Sequence, residues 1–188
     1  MAFQGVFVDR DGTINVDKGH VYRIEDFQFI PGALEALRRL TGAGIKIFVV
    51  SNQAGIAKGM YTEGDLAVLT RHMLEKMTAY GIRISDVLYC PHHPQATDPA
   101  YRMDCDCRKP KAGLLRRAMS REGLAPDVLA MIGDKNSDIE AGQAAGVRTY
   151  LVETGYGLRE RQLTSADYVV PDLKSAVNHL LSRKDEAQ

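Results

Sequence analysis

The chain has 188 residues, of which 45% are hydrophobic and 26% charged, with 24 Lys and Arg balancing 24 Asp and Glu. That length suits one domain, spanning 1–188, with a sizeable core, and the composition is that of a folded globular protein without low-complexity tracts. Balanced charge excludes an overall field drawing the chain to nucleic acid or an anionic membrane.

No basic-plus-apolar leader is seen, and no apolar run nears the ~18 residues needed to span a bilayer. A cytoplasmic monomer with neither membrane nor nucleic-acid partner is therefore expected. Three cysteines cannot all pair within one chain, and a reducing compartment disfavours disulfides, so the thiols ask for another role.

Short apolar runs alternate with segments of helical period, the pattern of an α/β three-layer, Rossmann-like fold with a mainly parallel sheet. Gly5–Val8 reads as the first strand. From Gly32 a helix places Leu34, Leu37 and Leu40 on one face, opened by Pro31 and closed by Gly42 and Gly44. Ile45–Val50 is a second buried strand, and Thr62 with Asp65 forms a capping box for a helix running to about Tyr80. Asp86–Cys90 is a third strand. Helix Gly113–Gly123, strand Val128–Gly133, helix Ser137–Ala145 and strand Arg148–Val152 follow, and a last helix leads into a frayed tail at 183–188.

Polar clusters follow the strands: "DRDGT" after the first, "SNQAG" after the second, "CPHHP" and "CDCRKP" after the third, "GDKNSD" after the fourth. In open α/β sheets, ligands bind beyond the carboxyl ends of the strands, so these clusters should converge on one site. Asp9, Asp11, Asp134 and Asp138 would crowd negative charge there, and a hard cation that takes carboxylates and bridges to phosphate, Mg²⁺, fits that crowding. Asp9, nearest the strand end, is the candidate nucleophile toward phosphorus. Asp11, two residues on in an extended segment, is the candidate general acid and base.

Ser51, Asn52 and Lys109 supply donors and charge for the oxygens of a transferred phosphoryl group. Arg108 and Lys135 suit a second anionic part of the substrate. Each cluster alone also reads as a turn, a cap or a solvated pair, and only their joint occurrence in strand-end order argues for chemistry.

Cys90, His92, Cys105 and Cys107 form C-x-H-x12-C-x-C and use every cysteine in the chain. Two clamps of residues spaced two apart make the tetrahedral S/N set that zinc favours, with His93 the alternative to His92. Four protein ligands leave no open position, so the zinc is structural. It would pin the loop 90–107 that delivers Arg108 and Lys109.

With these residues in hand, the chain resembles the haloacid dehalogenase (HAD) superfamily of phosphatases, on "DRDGT", Ser51, Lys109 and "GDKNSD". "CPHHPQ" followed by "CDCRKP" resembles its zinc-containing histidinol-phosphate phosphatase group. "DRDGTIN" with "NQAGIAKG" and "CPHHP" is similar to the branch acting on a heptose 1,7-bisphosphate.

That resemblance implies removal of the C7 phosphate of D-glycero-D-manno-heptose 1,7-bisphosphate, on the route to nucleotide-activated heptose and lipopolysaccharide. It implies magnesium held by Asp9, Asp134 and the Asp11 backbone carbonyl, with Asp138 behind them. It also implies Asp9 as nucleophile, Asp11 as proton donor, and a sugar pocket lined by Asp17, Gly19, His20, Asn52 and Gln53 beside Arg108 and Lys135. A phosphatase of histidinol phosphate or another small phosphomonoester is the competing expectation. The segments between the clusters leave no room for a cap domain, so an open site is expected.

Overall fold

Four buried residues, Gly5–Val8, form β1 near the middle of a six-stranded sheet. The computed structural model describes residues 3–185, with side chains to 182. After β1 come α1 (Ala33–Gly42), β2 (Lys46–Asn52), α2 (Ala54–Ala57), α3 (Glu63–Ala79) and β3 (Asp86–Cys90). Then follow α4 (Gly113–Glu122), β4 (Leu129–Gly133), α5 (Asn136–Ala145), β5 (Arg148–Val152), α6 (Gly157–Glu160), β6 (Tyr168–Val170) and α7 (Leu173–Asp185). Of the tail expected to fray, 186–188 lie outside the described residues, and the backbone of 183–185 continues α7.

The strand order is β3-β2-β1-β4-β5-β6 and every pairing is parallel. Alternating side chains divide the core between the two faces of the sheet. Val6, Val8, Ile47, Val49, Ala130 and Ile132 pack with Leu37 and Leu40 of α1, Met73 and Met77 of α3 and Val177 and Leu180 of α7. Phe7, Phe48, Val50 and Met131 pack instead with Leu114, Leu115 and Ala118 of α4. This is the expected three-layer α/β arrangement. Every named strand among the described residues belongs to this one sheet, and no helix there is long and apolar enough to cross a membrane.

Chain order reverses between β1 and β4, which places a crevice beyond their carboxyl ends. One departure from the expected boundaries bears on that crevice. Strand β2 runs on through Ser51 and Asn52, because both pair with β3 opposite Tyr89 and Cys90, so they stand on a rigid strand rather than in a turn. The ladder also fixes Cys90 beside them. β6 and the single-turn helices α2 and α6 carry too few residues to show a period.

Leu37 is fully buried on the α1 face expected from its spacing. Leu37→Ala should cost about 2–5 kcal/mol, read as a lower denaturant midpoint at unchanged slope. A wild-type midpoint would show that this core layer is misassigned.

Candidate active site and metal centres

The backbone of Asp9 continues the β1 ladder by donating to the Ile132 carbonyl at 2.9 Å. The chain then turns at Gly12, whose φ is 90°. A side chain there is excluded on two counts: the left-handed backbone, and a Cβ that would sit 2.1 Å from Asp134 Oδ2. Gly155, also left-handed, presses on the same oxygen from the loop after β5, where a Cβ would stand at 2.2 Å. Two glycines from distant parts of the chain therefore shape the wall around Asp134.

Asp9, Asp134 and Asp138 are buried, and one oxygen of each lies within 4.8 Å of the others. Among the described residues Lys109 is the one ammonium in ion-pair contact with them: its Nζ meets Asp9 Oδ1 at 2.6 Å, Asp138 Oδ1 at 2.5 Å and the Val50 carbonyl at 2.7 Å. Burial opposes the charge on Lys109, but Asp138 and Asp9 together hold it above the ordinary lysine value. Three carboxylates against one ammonium leave excess negative charge. Burial pushes Asp9 up to about 7 despite Lys109. Burial, then the neighbouring charges of Asp9 and Asp138, push Asp134 up to about 8.

Asp134 Oδ2 accepts from the Tyr156 backbone N–H at 2.8 Å, while its Oδ1 is buried with no hydrogen-bond partner among the described residues. A carboxylate oxygen so placed, beside Asp9, fits a hard divalent cation such as magnesium. Asp138 is differently engaged: one oxygen holds Lys109 and the other accepts from the Lys135 backbone N–H at 3.1 Å.

Asp11 is held outside this cluster. Arg10 grips both of its oxygens at 2.8–3.1 Å, Asn15 donates to Oδ1 at 3.0 Å and Gln53 to Oδ2 at 3.1 Å. Four N–H groups thus fix the carboxylate's orientation at the edge of the cleft.

Lys109 arrives on the long loop after β3, and Asn52 fastens it there. Asn52 Nδ2 donates to the Lys109 carbonyl at 2.9 Å, and its Oδ1 accepts from the Lys109 backbone N–H at 3.1 Å. The same loop carries His92, Cys105 and Cys107, and Cys90 ends β3 at its root. Their sulfurs lie 3.0–3.4 Å apart, and His92 Nδ1 is 3.4 Å from Cys107 and 3.8 Å from Cys90. These approach the edges of a tetrahedron around zinc, about 3.5 Å for bonds of about 2.0–2.3 Å. His93 turns away from this set and faces the cleft.

The cleft holds about 350 Å³. Every expected phosphoryl and substrate residue lines it: Ser51, Asn52, Gln53, Lys109, Asp17, Gly19, His20, Arg108 and Lys135, together with Asp9, Asp11 and Asp138. Asp134, fully buried, is not among the lining residues but lies close to Asp9 and Asp138, which are. Lys58, Ser137 and Tyr156 line it too and escaped the sequence reading; His93, which the sequence offered only as an alternative zinc ligand, also lines it. Lys135 is held 3.2 Å from Asp17 and 4.4 Å above the Tyr156 ring, and Lys58 Nζ lies 3.3 Å from His20 Nε2. Burial, then Lys58, lowers His20 from its ordinary value.

Comparison with known proteins agrees with this geometry. The HAD-hydrolase-like family model matches residues 106–176. The D-glycero-beta-D-manno-heptose-1,7-bisphosphate 7-phosphatase of Escherichia coli K12 is 40% identical over 186 residues, covering 97% of this chain and 96% of that protein. The Pasteurella multocida enzyme of the same name is 39% identical over 183 residues, covering 95% and 99%. Among solved structures, the D,D-heptose 1,7-bisphosphate phosphatase from B. bronchiseptica, complexed with magnesium and phosphate, matches with a TM-score of 0.87 at 27% identity, covering 96% of this chain and 99% of that one. On this extent of likeness over nearly its whole length, the chain belongs to the family of HAD-like phosphatases that these enzymes represent.

Proposed function

We propose that the chain hydrolyses the C7 phosphate of D-glycero-D-manno-heptose 1,7-bisphosphate, leaving heptose 1-phosphate, and that residues 1–188 act as one domain. The observation that carries this reading is the division of positive charge in one cleft. Lys109 lies at the floor beside Asp9, while Arg108, Lys135 and Lys58 stand on the rim. A substrate with a phosphate at each end fits two such zones. The naming of several relatives, each about 40% identical, as phosphatases of that bisphosphate supports it. A substrate with an amine would want a free acid at the rim. The rim acid, Asp17, already accepts from Lys135 and from the Gly19 backbone N–H.

The chemistry follows from the residues. An Asp9 oxygen attacks phosphorus, the bond to the sugar oxygen breaks, and Asp11 gives that oxygen a proton. Asp11 then takes a proton from water, the water oxygen attacks the acyl phosphate, and the bond to Asp9 breaks to release phosphate. Lys109 holds Asp9 in place, Ser51 donates to a phosphoryl oxygen, and Arg108 and Lys135 orient the far phosphate. Magnesium on Asp9, Asp134 and the Asp11 carbonyl, backed by Asp138, would neutralise the two anions that must meet. Zinc on Cys90, His92, Cys105 and Cys107 would hold the loop that presents Arg108 and Lys109. Thiols gathered on one such site suit the cytoplasm, where we place the enzyme as a monomer.

Purified protein with magnesium should release phosphate from heptose bisphosphate faster than from histidinol phosphate, and Asp9→Asn should cost on the order of 10⁴-fold in kcat. Preference for histidinol phosphate would overturn the substrate assignment.

Protons and magnesium compete for the same carboxylates. Asp9 and Asp134 have folded pKa values raised to about 7 and about 8. Their contribution to stability is therefore full below the ordinary carboxylate value and is lost as pH rises through that window. The stabilisation produced by magnesium, read as a rise in Tm, should grow over the same window, reaching about 2.7 kcal/mol at a hundredfold excess over Kd. A magnesium effect independent of pH would contradict the assignment.

Elemental analysis should find one zinc per chain. Cys105→Ser should lower Tm and kcat together, without restoration by added magnesium. An unchanged Tm would remove the structural role.

A further inference from the structure

Gln53 is among the most buried polar residues of the cleft, at 2% exposure, and the resemblance alone would make it a sugar contact. Its side chain is engaged elsewhere. Oε1 accepts from Tyr61 Oη at 2.5 Å and from Arg10 Nη2 at 3.4 Å, and Nε2 donates to Asp11 Oδ2 at 3.1 Å and to Ser51 Oγ at 2.6 Å.

The direction of this amide is decided by a charged neighbour. A guanidinium only donates, so the carbonyl end must face Arg10, which leaves the NH₂ end toward Asp11 and Ser51. Burial raises the Tyr61 phenol to about 12, which keeps it a donor. Ser51 Oγ therefore receives a hydrogen bond, and its own hydrogen must point elsewhere. Among the described residues Gln53 is the hydroxyl's one hydrogen-bond partner, and Ser51 lines the cleft.

We propose that Gln53, locked by Tyr61, is a positioning residue that turns the Ser51 hydroxyl hydrogen into the cleft, where it is preset to donate to a phosphoryl oxygen. A donor oriented before the reaction needs no reorganisation as charge develops. The lock is built into the packing. Tyr61 is buried and stacks on Tyr22 at 4.8 Å, and Gly55 leaves the space for its ring, since a Cβ there would sit 2.1 Å from Tyr61 Cε1.

The inference rests on the phosphatase reading but not on which sugar is preferred, so rates are compared as ratios to wild type on p-nitrophenyl phosphate with magnesium. Gln53→Met should lower kcat about 10–100-fold with KM within about twofold, as loss of an oriented donor does. Ser51→Ala should lose a similar factor. If Gln53 acts through Ser51, the double variant falls short of the product of the single losses by about fivefold or more. Should Gln53→Met fold poorly by its Tm, Tyr61→Phe carries the same test: kcat falls about 3–10-fold when Ser51 is present and is unmoved in the Ser51→Ala background. Losses that multiply fully, or a raised KM at unchanged kcat, would overturn the proposal and return Gln53 to substrate contact.

Discussion

The site is organised around a buried ammonium. Lys109 sits between Asp9 and Asp138 with all three of its hydrogens directed at protein oxygens. Removing any one partner would leave a charge stranded away from water, a far larger penalty than the pair's net stabilisation. This constraint explains why so much of the molecule converges on one side chain. β1 brings Asp9, α5 brings Asp138, β2 offers the Val50 carbonyl, and Asn52 at the end of β2 grips the Lys109 backbone from both sides.

The two candidate metal sites differ in their electrostatics. Around Asp9 and Asp134, one ammonium cannot balance three buried carboxylates, and the Asp134 oxygen that lacks a hydrogen-bond partner among the described residues suits a hard cation. The sulfur and imidazole cluster borders the loop that carries Lys109, and its four close ligand atoms could hold a metal ion there. Both depend on close approach. Gly12 and Gly155 allow the chain to pass against Asp134 where any Cβ would collide. The β2–β3 ladder sets Cys90 beside Asn52, so the loop's anchor and its clamp share one rigid frame.

Orientation, more than charge, distinguishes the remaining groups. Asp11 and Ser51 are each aimed by hydrogen bonds from buried neighbours, and Gln53 touches both. The rim is looser: Lys58, Arg108 and Lys135 stand partly in solvent, with His20 and His93 between them. A rigid floor for phosphoryl transfer and an adaptable rim for the rest of the substrate follow from this contrast in burial.

Much of this was legible in the order of residues. Periodicity marked the long strands and helices, because their faces alternate or repeat between core and solvent. The paired spacing of Cys90 with His92 and of Cys105 with Cys107 announced a metal clamp, because neighbours two apart point the same way along an extended chain. The carboxylates and Lys109 were visible because they follow strands whose ends must meet. Local spacing could not reveal contacts between distant segments: Gly155 and Tyr156 against Asp134, Tyr61 against Gln53, Lys58 beside His20, or the strand order that sets β1 against β4. The one-dimensional pattern determined which groups stand at strand ends. Only the packed sheet decided which of them share a buried volume, because hydrogen-bond direction and the cost of an unpaired charge depend on neighbours that the chain brings together only when folded.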